Sequence, residues 1–357
     1  MATTLAETTR GSEIESIHQG NVAVIDADGG LVAWAGDPRT QAFFRSSAKV
    51  FQAVPLIITG AADAFGFTTE ELAMACASHN GTARHQEVVT SMLRKIGLTE
   101  GDLLCGASPP LDETEQARVT LGLTEPTQVS CECSGEHAGM LAACRKAGWS
   151  TENYVDPDHP LQQLIREIVA AGCGVCPSSL AVATDGCSLP TFGAPMEAFA
   201  FSYAVVADPD GAQWAGQPEW RLALQCLREA MLLHPHLISG EGEIDTVIMQ
   251  ATNGRVLAKL GAEGLLCLSL PDRRLGIAIH DLAGSTRSLG PAAITVLREL
   301  GAIDAACADR LSEAFCPPIE TFTGNPVGLT RSAVSLERPA ALDPARHQHL
   351  DQPAASL

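Results

Sequence analysis

Lysine is scarce in this 357-residue chain: Lys49, Lys95, Lys146 and Lys259 stand against nineteen arginines. A chain that draws its positive charge from arginine keeps lysine where arginine will not serve. A guanidinium stays protonated in a protein, whereas a buried amine can lose its proton and act as a base. Positive charge is short altogether, with 23 Lys and Arg against 42 Asp and Glu and a formal charge of −19. That excludes nucleic acid and anionic membrane surfaces as natural partners. No run is long and apolar enough to span a bilayer. Met1 to Gly20 lacks the basic and apolar regions of a secretory leader, so a cytoplasmic location is expected.

Cysteine is not scarce. Twelve in a chain of this length do not make a small-domain disulfide framework. Cys76, Cys144, Cys226, Cys267 and Cys307 lie in apolar contexts and read as core residues. A composition 46% hydrophobic and 18% charged is that of a globular protein.

Val22–Ile25 and Leu31–Ala35 flank Asp26-Ala27-Asp28-Gly29-Gly30, a strand–turn–strand pattern. Ser46–Thr59 is helical in character, limited by Pro55. Thr68-Thr69-Glu70-Glu71 is a helix start. Helices are expected over Ala83–Ile96, His137–Ala147, Pro160–Ala171, Trp220–Leu233 and Pro291–Leu300. Thr246–Ala251, Val256–Lys259, Gly264–Leu270 and Leu275–Ile279 read as strands. The expectation is an α/β (α+β) fold in one composite domain over 1–336. Its antiparallel sheet comes from about 15–60 and 240–336, around a helical region of about 61–239. Residues 337–357 read as a loose tail.

Ser46-Ser47-Ala48-Lys49 places a serine and a lysine three residues apart at a helix start, on one face. A neutral lysine there can take the serine proton. Moving its pKa from ~10.4 to ~7 requires roughly 4–5 kcal/mol against the charged form, from burial or a second cation. Ser78-His79-Asn80 follows an apolar helix, and Lys259-Leu260-Gly261 ends a strand where glycine admits a substrate to the backbone. Ser-x-x-Lys, Ser-x-Asn and Lys-x-Gly in that order form the motif set of serine β-lactamases and penicillin-binding proteins, which points to acyl transfer through a serine ester. Each piece also has a plain reading: Ser46, Ser78 and Asn80 as caps or turn residues, Lys49 reaching to solvent, His79 as structural. A second cluster, Cys133, Glu136 and His137 with Asp185 and Cys187 further on, offers thiolates, a carboxylate and an imidazole for zinc, or simply free core thiols. Cys173 and Cys176 have CxxC spacing but stand alone.

Arg45-Ser46-Ser47-Ala48-Lys49, Ala77-Ser78-His79, Cys133-Ser134-Gly135-Glu136-His137-Ala138-Gly139, Thr184-Asp185-Gly186-Cys187 and Ala258-Lys259-Leu260-Gly261 together resemble the rhizobial, thermolabile (class 3, asparaginase II) L-asparaginases. The resemblance runs from about Ile17 to Val334. It implies a β-lactamase-like fold, a homodimer, and hydrolysis of L-asparagine to L-aspartate and ammonia. It also implies two Ser–Lys tandems and a zinc held by Cys, Lys and Cys. Carried over by position, Ser46 is the nucleophile and Lys49 its base, and Ser78 with Lys259 relays the proton to ammonia. Arg45, His137 and Asp185 match residues near the substrate, Arg45 suiting a carboxylate and Asp185 an ammonium, and His79 and Asn80 of the Ser-x-Asn motif are further candidate substrate contacts. Cys133 and Cys187 fall on the metal. The chain departs from the family at Glu136, where the pattern has lysine. A carboxylate is a good zinc ligand, but its charge raises the pKa of a nearby lysine. A β-lactamase-like hydrolase of other amides, and a silent homologue binding an amino acid or zinc, are the alternatives.

Overall fold

The computed structural model describes residues 1–339, and both ends of that span contribute to one eight-stranded antiparallel sheet. β1 (Thr3–Arg10), β2 (Glu13–Asp26) and β3 (Leu31–Ala35) open the chain. β4 (Gln41–Phe43), β5 (Ala181–Thr184) and β6 (Pro190–Pro195) form a separate small sheet in the order β4-β6-β5. β7 (Leu257–Gly261), β8 (Leu265–Leu270), β9 (Leu275–Asp281), β10 (Pro318–Glu320) and β11 (Pro326–Ser332) complete the large one. Its order is β10-β11-β1-β2-β9-β8-β7, with β3 also paired to β2. The expected antiparallel sheet built from both chain ends is therefore present, with helices between them.

β2 changes character along its length. Its first half pairs with β1 and alternates between half-buried and exposed residues, whereas Gly20–Ile25 is buried throughout where β3 and β9 flank it. The helix Met196–Ala207 is apolar on nearly every side, as a helix enclosed by protein must be. It lies against β2, β8 and β9. Contact is direct at Gly276, where a Cβ would fall 1.9 Å from the Ala200 carbonyl oxygen.

In the helical middle, Thr68 and Glu71 form a capping box that starts helix Thr69–Ala75. Helices Ala83–Lys95, Ser134–Ala147, Pro160–Gly172, Pro218–Leu233 and Leu289–Glu299 match the expected ones closely. Ser46–Thr59 is broken into a 3-10 turn (Arg45–Ala48), one helical turn (Lys49–Gln52) and helix Val54–Ile58, with Pro55 in the last segment's first turn.

Three expectations need correction. Thr246–Ala251 is not a strand but part of helix Ile244–Ala251, whose buried residues Asp245, Thr246, Ile248 and Met249 follow helical spacing. A short apolar run does not distinguish the two periods. The sheet begins at Thr3, earlier than about 15, because register shifts within the β1–β2 pair break the alternation a strand would show. The small β4-β6-β5 sheet inside the helical region was not foreseen. Of the tail expected over 337–357, residues 340–357 lie outside the described residues.

Candidate active site

The small sheet delivers the first half of the site. β4 runs into Phe44, which is buried, stacked on Phe199 at 4.4 Å, and bound through its N–H to the Phe192 carbonyl at 2.7 Å. Arg45 follows at φ 50°, a left-handed conformation uncommon for a side-chain-bearing residue. Strain of this kind persists where surrounding structure holds it, and is concentrated at functional sites. From that turn the Arg45 guanidinium forks onto Asp185, Nε to Oδ2 at 2.7 Å and Nη2 to Oδ1 at 3.0 Å. Asp185 and Cys187 stand in the tight connection between β5 and β6.

Ser46 and Lys49 line one narrow cleft with Arg45, Asp185, Glu136 and Thr191. The two do not form the expected hydrogen-bonded pair. Lys49 Nζ donates to the Ala77 carbonyl at 2.7 Å and faces Glu136 Oε2 at 3.2 Å. Burial, the largest single influence on Lys49, favours the neutral amine. Cys133, Glu136 and Cys187 together outweigh it and raise the pKa. An amine ready to act as base is therefore not what this arrangement holds at Lys49: the acidic groups around it, Cys133 first and then Glu136 and Cys187, keep the proton on the amine. Burial lifts Glu136 itself to about 7, against the pull of Lys49.

The second pair does meet. Lys259 Nζ donates to Ser78 Oγ at 3.1 Å and to the Leu260 carbonyl at 3.0 Å. Its pKa is lowered by burial, offset in part by Asp245 and lowered further by Lys49. Lys49 reaches the same neighbourhood, since its acceptor Ala77 precedes Ser78. Gly261 does not open the strand to a substrate. A Cβ there would meet the Phe44 carbonyl at 2.9 Å and Ser47 Oγ at 3.0 Å, so the space admits the Arg45–Ala48 turn instead.

Cys133 Sγ, Cys187 Sγ and a Glu136 carboxylate oxygen lie within 4.8 Å of one another, all three residues buried. Hydrogen bonds from Cys131 and Cys187 hold Cys133 well below the usual thiol range, with burial opposing and Lys49 assisting. Glu136 Oε1 is buried without a hydrogen-bond partner. Two sulfurs and an unengaged carboxylate oxygen form a donor set that fits zinc. All twelve cysteines are free thiols, and the expected core cysteines are buried except Cys226, which is half-buried. Cys173 is buried and Cys176 exposed, so the CxxC spacing brings no pair together.

The other three residues expected near the substrate, His79, Asn80 and His137, behave differently. His79 is fully buried, its Nδ1 accepting from the Gly81 N–H at 3.1 Å and its Nε2 bonded to Ser134 Oγ at 2.9 Å, so neither nitrogen is available to a ligand. Asn80 turns away to donate to Glu243 Oε1 at 3.1 Å. His137 keeps a free end: Nδ1 is bonded to the Tyr154 hydroxyl at 2.7 Å while Nε2 is buried and unpartnered. Burial holds His137 neutral, with its pKa down at about 4. Sequence reasoning missed Asp245, Thr191 and Tyr154. Only Asp245 carried a signal, as a lone acid inside the apolar run Ile244–Met249. Thr191 Oγ1, like His137 Nε2, is buried without a partner.

The Ser78–Lys259 pair thus stands beside an antiparallel sheet built from both ends of the chain, with helices between. The L-asparaginase II family matches residues 6–332, and the chain belongs to that family. No curated protein matches the chain in sequence. Among solved structures, Mglu in its tris and glutamate form is 15% identical, covering 83% of this chain and 59% of its own, at a TM-score of 0.34. A second Mglu structure is likewise 15% identical over 83% of this chain and 66% of its own, at 0.35. This chain therefore spans less than two thirds of the length of Mglu. A β-lactamase from Mycobacterium bovis is 14% identical over 78% of this chain and 94% of its own, at 0.36. Scores of this size describe a loose likeness. Among the described residues no helix is long and apolar enough to cross a membrane.

Proposed function

We propose that the chain hydrolyses the side-chain amide of L-asparagine to L-aspartate and ammonia through an ester on Ser46. The observation that carries this reading is the Arg45–Asp185 ion pair standing in one cleft with Ser46 and Lys49. A free amino acid brings one carboxylate and one ammonium, the charges that this pair presents in mirror image. The cleft holds about 10 Å³ of free space, room for roughly one water. The substrate therefore enters by parting Arg45 from Asp185, its carboxylate on Arg45 and its ammonium on Asp185, which leaves the carboxamide toward Ser46.

The Ser46 hydroxyl adds to the amide carbon and gives up its proton; the tetrahedral species expels ammonia, which takes a proton; water then cleaves the ester to aspartate. Lys49 receives the first proton once the negative charge of Cys133, Glu136 and Cys187 around it is offset, and Ser78 with Lys259 supplies the proton to ammonia. Cys133, Glu136 and Cys187 would hold a zinc ion. When bound, it supplies positive charge beside Lys49, which favours the neutral amine. The homodimer and the cytoplasmic setting belong to this proposal.

The test is ammonia release from asparagine and glutamine, with and without chelator, by the wild type and Ser46→Ala. Release from asparagine is expected, with a loss of at least ~1000-fold in Ser46→Ala. Near-normal turnover in that variant would overturn the nucleophile assignment. The Lys49–Glu136 contact favours a second reading, a silent homologue that binds the amino acid. Calorimetric asparagine binding without ammonia release would select it.

A further inference from the structure

Asp245 is a fully buried carboxylate with three engagements. Its Oδ1 accepts the Leu260 N–H at 2.8 Å, its Oδ2 accepts the Ser239 hydroxyl at 2.7 Å, and Oδ2 also faces Lys259 Nζ at 3.6 Å. Each engagement leads to the Ser78–Lys259 pair. Leu260 follows Lys259 on β7, so the Oδ1 bond fixes the strand that carries the amine. Ser239 accepts the Asn80 N–H through its carbonyl at 2.7 Å, and the preceding Ile238 carbonyl accepts the Ser78 N–H at 2.8 Å. Segments 78–80 and 238–239 are thus laced together, and the Ser239 hydroxyl ties that lacing to Asp245. One carboxylate joins the backbone bearing the hydroxyl to the backbone bearing the amine.

We propose that Asp245 is the positioning residue of the Ser78–Lys259 pair: it sets the amine against Ser78 Oγ and stabilises the proton on that amine. The idea rests on the proposed function only for its catalytic consequence, because positioning and protonation are properties of the resting protein. A buried charge with no partner is costly, and a buried pair loses several kcal/mol when one member is removed. Asp245 is thus the counter-charge that lets Lys259 take up and release a proton while fully enclosed. The other ionisable groups that act on Lys259 are Lys49 and Cys133, while Cys76 and Cys267 feel its charge in turn. Of these, Asp245 alone is a carboxylate.

The scarcity of lysine makes a direct test simple. Protein labelled with 13C at lysine Cε has four resonances, one for each lysine, and Lys259→Met identifies the one that matters. In Asp245→Asn, which keeps the shape and the Leu260 contact, the Lys259 titration midpoint should fall by about one pH unit or more, with the Lys95 and Lys146 midpoints unchanged. Ser239→Ala, a milder change that leaves the carboxylate in place, should also move the Lys259 resonance. If Asp245→Asn does not fold, the Ser239→Ala spectrum decides alone. Unchanged Lys259 titration in a folded variant would overturn the proposal. The readout does not depend on any activity, so absence of ammonia release in the wild type would sink the asparaginase reading and leave this one standing. Given activity, Asp245→Asn should lower kcat by at least about tenfold and shift the alkaline limb of the kcat/KM profile to lower pH, since Lys259 acts in its protonated form. A purely structural role would lower the profile without shifting it.

Discussion

The ammonium of Lys49 and the carboxylate of Glu136 meet at 3.2 Å with 2% of either side chain exposed. The contact joins the two halves of the site, since Lys49 is the expected base for Ser46 and Glu136 belongs to the donor set proposed for zinc. It also sets them against each other. A carboxylate that pairs with Lys49 holds a proton on the amine; one committed to a cation does so less.

Glu136→Gln keeps the shape and removes the charge. Zinc affinity, measured by competition with a chromogenic chelator, should fall at least about tenfold. In metal-free protein near neutral pH, the same variant should release ammonia faster than the wild type, because Lys49 is more often neutral. Unchanged zinc affinity would remove Glu136 from the ligand set, and unchanged metal-free turnover would remove it as the restraint on Lys49.

The same pair yields a stability cycle. Lys49→Met strands a buried carboxyl and should cost about 3 kcal/mol at pH 8.5, read from chemical denaturation. Adding Glu136→Gln removes the stranded charge and should restore most of that loss. If the double variant were no more stable than the single one, Lys49 would be held by its packing and its bond to Ala77 rather than by charge.

What could be read in the sequence is what depends on local spacing. The Thr68–Glu71 capping box, the amphipathic Ala83–Lys95 and the interruption at Pro55 are all decided within a few residues. Ser78 and Lys259, 181 residues apart, were paired by motif order rather than by any local signal. The failures are those of long range. β4, β5 and β6 are short strands whose partners are distant, so nothing nearby shows that they carry Arg45 to Asp185. Ser46 and Lys49 have the right spacing, but the destination of Lys49 Nζ is set by Ala77 and Glu136 from other elements. His79 sits within the motif and still bonds inward, because Gly81 and Ser134 capture both its nitrogens.

Asp185→Asn should separate binding from chemistry. It removes the partner of the α-ammonium and leaves Ser46 and Lys49 in place, so KM for asparagine should rise about 10- to 100-fold, with kcat within about threefold. That range matches a charge-assisted hydrogen bond of about 1.5–3 kcal/mol. Unchanged KM would mean that the Arg45–Asp185 pair stays closed during turnover and binds nothing.

Acid should loosen the fold through its buried histidines. His137 is fully buried with its pKa down at about 4, and burial lowers His79 well below its ordinary value and His85 as well. A histidine in the unfolded chain titrates near ~6.5. Between about pH 6.5 and 4 the unfolded chain therefore binds protons that the folded one refuses, and stability falls as the pH falls through that window. His137 alone accounts for about 3 kcal/mol by this reasoning. Glu136 works in the opposite sense: lifted to about 7, it takes up a proton on folding over much of the same range and offsets roughly one histidine. His79 and His85 remain uncompensated, so the net trend is a loss. Denaturant midpoints of chelator-treated protein at pH 7.5 and 5.0 should show it, and Glu136→Gln should steepen the decline by removing the opposing group. Equal midpoints at the two pH values would mean that the buried imidazoles accept protons without cost, against the burial of all three.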